Sequence, residues 1–172
     1  MKRQIRGLIP FIIFINFSYC QRINYFPSEW RSTQESDYYK ESLSHLKENI
    51  PNHIEADFNG DDFKDHAWLL KKTNDDTIGL FVFLGNKNKG YKTIKLLAYE
   101  MDAKYIYTGI SKVQPGKYKT ACGRGYWDCG PSEPEILELT NPSINLFQFE
   151  GTSSYFYWDS NKNKFIRVWM SD

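Results

Sequence analysis

The chain has 172 residues, a formal net charge of +1 and only three cysteines. This length suits an export signal followed by one domain. The near-neutral charge argues against a nucleic-acid partner, which would require a basic surface, and 17% aromatic residues are enough to build a core of useful size.

The first element in chain order is an export signal. Lys2, Arg3 and Arg6 precede the apolar run from Leu8 to Ile15, the two parts that open a secretory signal peptide. The run is short of the roughly 20 apolar residues of a membrane span. Ser18 and Cys20 are small residues at −3 and −1 of a cut before Gln21, so residues 1–20 read as a signal peptide. Two alternatives stay open: Cys20 as the acylated cysteine of a lipoprotein, with bulky Tyr19 against it, and an uncleaved anchor. Removal of residues 1–20 takes away three bases and no acid, leaving a mature charge of −2. The expected location is the periplasm or the medium, with no membrane span in the mature chain.

Residues 21–31 read as a mature N-terminal leader, and residues 32–172 as one domain. Within it, 32–50 predicts a helix. Ser32-Thr33-Gln34-Glu35 has a capping-box pattern, Tyr39, Leu43, Leu46 and Ile50 share one helical face, and Pro51 ends the run. Beyond Pro51 the pattern changes to short aromatic and β-branched runs at 66–72, 77–84, 93–100, 104–111, 117–121, 135–139, 145–150, 154–158 and 165–170, punctuated by Gly, Asn, Asp and Pro. Their short connections predict antiparallel pairing, most clearly for the hairpin turning at 159–164. Alternation sends Phe156 and Trp158 to one face and Tyr155 and Tyr157 to the other; core packing is the expected reading, and a sugar-stacking surface the alternative. The expected fold is α+β: one N-terminal helix packed on a twisted antiparallel sheet of about eight short strands. No internal repeat is visible.

The most informative stretch is Asp57-Phe58-Asn59-Gly60-Asp61-Asp62-Phe63-Lys64-Asp65. Oxygen side chains stand at loop positions 1, 3, 5 and 9, and the Phe63 carbonyl at position 7 adds another. Calcium is a hard cation that takes six to eight oxygens. An EF-hand would place a bidentate Glu at position 12, where Trp68 stands, so this is not an EF-hand. The stretch resembles the D-x-N-x-D-G-x-x-D loop of FG-GAP and VCBS-type sequences, with Asp62 where that pattern has Gly. The resemblance covers one loop and the following strand, about a tenth of the chain. It implies Ca2+ held by Asp57, Asn59, Asp61 and Asp65. It does not imply a propeller, because the repeats are missing. An acidic turn without an ion is the alternative.

Cys122-Gly123-Arg124-Gly125-Tyr126-Trp127-Asp128-Cys129 is the second marked feature. With Cys20 removed, two cysteines remain in an oxidising compartment, which predicts a Cys122–Cys129 disulfide. A loop this short stabilises by roughly 2.5 kcal/mol through chain entropy. It is either a plain staple or a mount for Arg124, Tyr126 and Trp127, residue types enriched at binding hot spots.

The histidines are His45, His53 and His66. His45 reads as solvated on the helix, His53 as lying at a strand start and His66 as lying on a strand face. H-E-x-x-H, G-x-S-x-G and phosphate-loop patterns are absent. The chain therefore reads as an exported, calcium-stabilised, non-catalytic binding or structural domain with an unknown protein or cell-envelope partner. The alternative is a periplasmic inhibitor or immunity-type protein against a secreted or wall-degrading hydrolase, which would need the cysteine loop rigid and exposed. A hydrolase would need convergent carboxylates or a histidine in a pocket.

Overall fold

A computed structural model describes residues 26–44, 50–101 and 103–171. The signal-peptide reading of 1–20, the Cys20 alternative, His45 and Leu46 all lie outside the described residues. Among the described residues the fold is almost entirely β, with eleven strands in three sheets.

The first sheet contains β1 (Trp30–Ser32), β2 (His53–Ala56), β3 (Asp65–Lys72), β4 (Thr77–Gly85) and β5 (Tyr91–Glu100). Its order is β1-β3-β4-β5, and β2 also pairs with β3. One edge of β3 is thus covered by two short strands, Ser32 opposite Leu70 and His53 opposite Trp68. Between them the Leu69 amide donates to the Asn52 carbonyl at 2.8 Å, so the edge is satisfied without a break. The second sheet has the order β11-β10-β9-β6, built from β6 (Thr108–Val113), β9 (Ser143–Gln148), β10 (Ser153–Asp159) and β11 (Lys164–Ser171). A small third sheet joins β7 (Gly116–Lys119) to β8 (Ile136–Leu139). All these pairings are antiparallel.

Alternation along the strands sorts the side chains into layers. Ala67, Leu69, Leu80, Val82 and Leu84 of the first sheet meet Ile110, Ile144, Leu146 and Phe156 of the second. Trp158 and Phe165 pack against this cluster. On the other face of the second sheet, Tyr155, Tyr157, Val168 and Met170 meet Tyr118, Leu137 and Leu139 of the third. The aromatics of β10 are therefore core on both faces, as their alternation predicts. On the outer face of the first sheet, Leu70, Phe81 and Phe83 lie beneath Phe26, Trp30, Trp68 and Tyr91.

The α+β expectation is overturned. No N-terminal helix packs on the sheet among the described residues. Ser32 ends β1, Glu35–Asp37 form a 3₁₀ turn, and α1 (Lys40–Ser44) is a little over one turn. The physical reason is tertiary. Ser32 pairs with Leu70, Thr33 Oγ1 donates to the Leu69 carbonyl, and the 2%-exposed Tyr38 is bridged to Ile106. The capping box forms two residues later than the sequence suggests, from Gln34 to Asp37, with the Gln34 amide donating to Asp37 at 2.7 Å. The stretch read as a leader contributes Phe26 and Trp30 to the outer-face packing and Trp30–Ser32 to β1. All nine expected strand regions contain a strand. Of the two strands outside those regions, β1 is not expected from the sequence, and β2 begins at His53, which reads as a strand start.

Asp37 ties this N-terminal segment down. Arg31 donates to both its carboxylate oxygens at 2.7 Å, and Lys71 of β3 stands 3.9 Å away. Burial pushes the Asp37 carboxyl up, but the hydrogen bonds from Arg31 and Gln34 and the charges of Arg31 and Lys71 outweigh it, so its pKa lies below the ordinary 3.8. A depressed folded-state pKa gives stability that is present above 3.8 and lost as pH falls through the folded value. Asp37→Asn should therefore cost about 1–2 kcal/mol at pH 7, since Arg31 remains partly in solvent. In urea denaturation the gap between wild type and variant should narrow towards pH 3; a gap that stays constant would refute the ion-pair account.

Candidate functional site

The β2–β3 hairpin carries two groups of polar side chains. The first is the acidic loop, which connects the two strands. Phe58, at loop position 2, is fully buried in the core between the sheets and anchors the turn. Asp57, half-buried, is its organiser: Oδ1 accepts the amides of Gly60 and Asp61 at 2.7 and 3.1 Å, and Oδ2 accepts that of Asp62 at 2.9 Å. This wrapping needs left-handed backbone at Gly60 (φ 76°) and at Asp62 (φ 67°), the position where the resembled pattern has Gly. Asn59 Oδ1 accepts the Asp61 amide, Asn59 Nδ2 donates to Asp61 at 2.9 Å, and the Phe63 amide donates to Asp61 at 3.0 Å.

Asp65 behaves differently from the rest of the loop. It has no solvent exposure, and its two oxygens accept the amides of Phe58 and Gly85, each at 2.8 Å. Burial pushes its carboxyl up to about 6 against the pull of those two amides, and the charges of Asp61 and Asp57 push in the same direction as burial. Of the expected ligands, Asp57, Asn59 and Asp61 sit on one turn. Asp65 faces inward, joined to the loop start and the end of β4.

The second group is one that sequence reasoning missed. Among the described residues, one set of three His, Cys, Asp or Glu side chains brings its ligand atoms within 4.8 Å of one another: His53, Glu55 and His66. Asp57, Asp61 and Asp65 do not form such a set. His53 and Glu55 alternate onto one face of β2, and the register places Glu55 opposite His66. His53 Nε2 lies 3.1 Å from His66 Nδ1; Glu55 Oε1 lies 3.9 Å from the first and 3.4 Å from the second. Burial lowers the pKa of both rings, which favours the neutral imidazole. Glu55 is held below the ordinary carboxylate value chiefly by the hydrogen bond from Lys64 at 2.8 Å. An open cleft of about 440 Å³ runs from Glu55 past Asp57, Asp62 and Phe63 to Lys112, so the two groups share a surface.

The cysteine loop lies elsewhere in the fold. Cys122 and Cys129 are joined, with Cα atoms 5.0 Å apart. Cys122 is buried, while Arg124 and Tyr126 are exposed and Trp127 is half-buried. Thr120 Oγ1 donates to the Pro134 carbonyl at 2.7 Å and accepts the Gly123 amide at 3.1 Å. Gly123 is required because any Cβ there would run into the Glu135 backbone. The Trp127 indole donates to Glu133 at 3.2 Å. The loop is therefore fixed at its base and displayed at its tip.

Compared with known proteins, the chain matches no family model, no curated protein and no solved structure.

The role of Asp65 is directly testable. Asn at this position offers one acceptor oxygen and sets an amide donor against a backbone donor, leaving the Phe58 or Gly85 amide unmet in a buried place. Asp65→Asn should cost about 2–3 kcal/mol, measured by chemical denaturation in a metal-chelating buffer. A loss below about 0.5 kcal/mol, the ordinary surface value, would show that the two amide contacts carry no stability.

Proposed function

We propose that the chain is an exported, non-catalytic binding domain that presents the 122–129 loop to a protein or cell-envelope partner and is stabilised by calcium in the acidic loop. The observation that carries the binding reading is the combination of an anchored base and an exposed tip. Tyr126 is 54% exposed, although the loop that carries it is closed by a disulfide and tied to Pro134 and Glu135. A pre-ordered loop loses little entropy on binding, and Tyr, Trp and Arg carry most of the energy at interfaces. The same observation favours a second reading within this class: an inhibitor or immunity-type protein against a secreted hydrolase, for which a rigid, protruding loop is the requirement.

The test is capture. Protein purified after export is immobilised and exposed to a cell-envelope extract, beside Tyr126→Ala and Arg124→Ala combined. The double variant should keep the wild-type melting temperature within about 2 °C, because both side chains are exposed, and lose at least about tenfold in partner recovery. Equal recovery by both proteins would place binding elsewhere and end the loop reading.

The calcium reading is supported by the sequence spacing and by the turn wound on Asp57. Asp57, Asn59 and Asp61 are joined within that turn by hydrogen bonds through the Asp61 amide and the Asn59 side chain. Asp61 accepts from Asn59 Nδ2 and the Phe63 amide, and its side chain lies exposed at the surface, where an ion can reach it. The carboxylates of Asp57, Asp61 and Asp65 repel one another, and a divalent cation removes that cost. Affinity near 10⁻⁴ M is expected, in order of magnitude, as in extracellular modules. At a free calcium of about 100 times the dissociation constant, linkage adds roughly 2.7 kcal/mol. Thermal unfolding in a calcium-selective chelator and in zinc-free calcium should differ accordingly, with magnesium doing less and Asp57→Ala abolishing the difference. An unchanged wild-type midpoint would mean an acidic turn without an ion.

A further inference from the structure

We propose that His53, Glu55 and His66 bind one divalent transition-metal ion, with zinc the best match, at a site on the outer face of the first sheet that is chemically separate from the acidic loop. The argument begins with the spacing of the donor atoms. Zinc bound tetrahedrally at 2.0–2.1 Å sets its ligands about 3.3 Å apart. The three separations here are 3.1, 3.4 and 3.9 Å. Shifts of a few tenths of an ångström, within reach of side-chain torsion, place all three atoms on one ion.

Donor chemistry selects the metal. Two imidazole nitrogens and one carboxylate oxygen suit zinc and its transition-metal neighbours; calcium and magnesium favour shells made of oxygen alone. The hydrogen bond between His53 and His66 accounts for only part of the arrangement. With one hydrogen in the contact, one ring nitrogen donates it and the other nitrogen and Glu55 Oε1 both offer lone pairs for it; with both inner nitrogens deprotonated, His53 Nε2, His66 Nδ1 and Glu55 Oε1 turn three lone pairs to one point. A cation at their centre satisfies all three. Binding then needs each ring to carry its proton on the outer nitrogen. For His66 that nitrogen is Nε2, which lies 3.3 Å from the Tyr91 hydroxyl.

The surroundings hold each ligand in place, as the outer shell of a metal site does. Tyr91 fixes the His66 ring. Lys64 holds Oε2 of Glu55 at 2.8 Å and leaves Oε1 turned to the histidines. The His53 ring stacks on Trp68, with centroids 3.8 Å apart and planes 19° from parallel. The strands beneath are pinned as well, since the Pro51 carbonyl accepts the Ile110 amide and the Asn52 carbonyl the Leu69 amide. The His66 side chain is 11% exposed, His53 26% and Glu55 41%, so the open side of the site faces solvent along Glu55. A water molecule completes the fourth position there. The ion cross-links the short strand β2 to the central strand β3 at the base of the acidic loop.

The experiment uses untagged protein as the cell processes it, stripped of metal and titrated with zinc(II) by calorimetry and with cobalt(II) by visible absorption. The expected result is one ion per chain, a cobalt spectrum of four-coordinate type, and its displacement by zinc. His53→Ala and Glu55→Gln should each weaken zinc binding roughly tenfold or more. His53→Ala gives up the stacking on Trp68 and so should melt somewhat lower without metal, but both variants should unfold cooperatively and keep the wild-type circular-dichroism spectrum, which verifies their fold. Asp57→Ala, which removes the organiser of the acidic loop, should leave zinc affinity unchanged. The proposal is overturned by the absence of saturable one-to-one binding, by binding that survives both His53→Ala and Glu55→Gln, or by binding lost in Asp57→Ala, which would move the ion to the acidic loop.

Discussion

The carboxylate of Asp65 sits where three pieces of chain meet, accepting the amides of Phe58 at the start of the acidic loop and Gly85 at the end of β4. It is the first residue of β3 and is fully buried. Ala56 lies opposite it, so the same residue closes the β2–β3 ladder and sets its register. Side chains alternate along a strand, and a slip of one residue would exchange the two faces. Ala67 and Leu69 would leave the inter-sheet core, and His66 would leave His53 and Glu55. The core, the loop and the histidine group therefore depend on one register, and Asp65 with the buried Phe58 ring holds it.

Around that hairpin the molecule is a stack of sheets cemented by aromatic side chains. Each face of β10 buries its aromatics against a different neighbour, the first sheet on one side and the small third sheet on the other. The third sheet also supports the disulfide loop. Thr120, one residue beyond β7, holds the carbonyls of Pro134 and Glu135 just before β8, and the Ala121 amide donates to Trp169 of β11. The disulfide thus spans a loop whose base is already set by sheet hydrogen bonds. That is why the tip can be exposed without the loop depending on tip contacts for its shape.

Much of this was legible in the sequence because it is written in local pattern. Period-two runs of aromatic and β-branched residues mark nine of the strand regions, and Tyr155 to Trp158 alternate between two covered faces as their order predicts. The turn wound on Asp57 follows from acids and amides at fixed spacing, and Asp62 adopts the left-handed backbone its position demands. The 32–50 segment misleads for the opposite reason. Tyr39, Leu43, Leu46 and Ile50 have helical spacing, but Ser32, Thr33 and Tyr38 gain more from β3 and Ile106 than a local helix offers. β2 is four residues, His-Ile-Glu-Ala; its start at His53 is legible, but the run is too short and too polar to show its extent or its partner. The histidine group was invisible on the same account: His53 and His66 are thirteen residues apart, and only the β2–β3 register makes them neighbours.

The hairpin therefore places two kinds of donor side by side. The loop offers oxygens on one turn, the arrangement calcium accepts. The strand face offers two nitrogens and an oxygen at tetrahedral spacing, the arrangement zinc prefers. If both proposed ions bind, softness and geometry would keep them from competing for one site. They are still linked mechanically, because Glu55 and Asp57 are two residues apart on the same strand end and Lys64 of the loop holds Glu55. An ion that stiffens the turn restrains Lys64, and through it the orientation of Oε1 towards the histidines. Linkage requires any such effect to be reciprocal in binding free energy. The coupling must be weak, however, because the register that gathers the histidines is set by Asp65 and Phe58, which are buried and hydrogen-bonded without help from either ion.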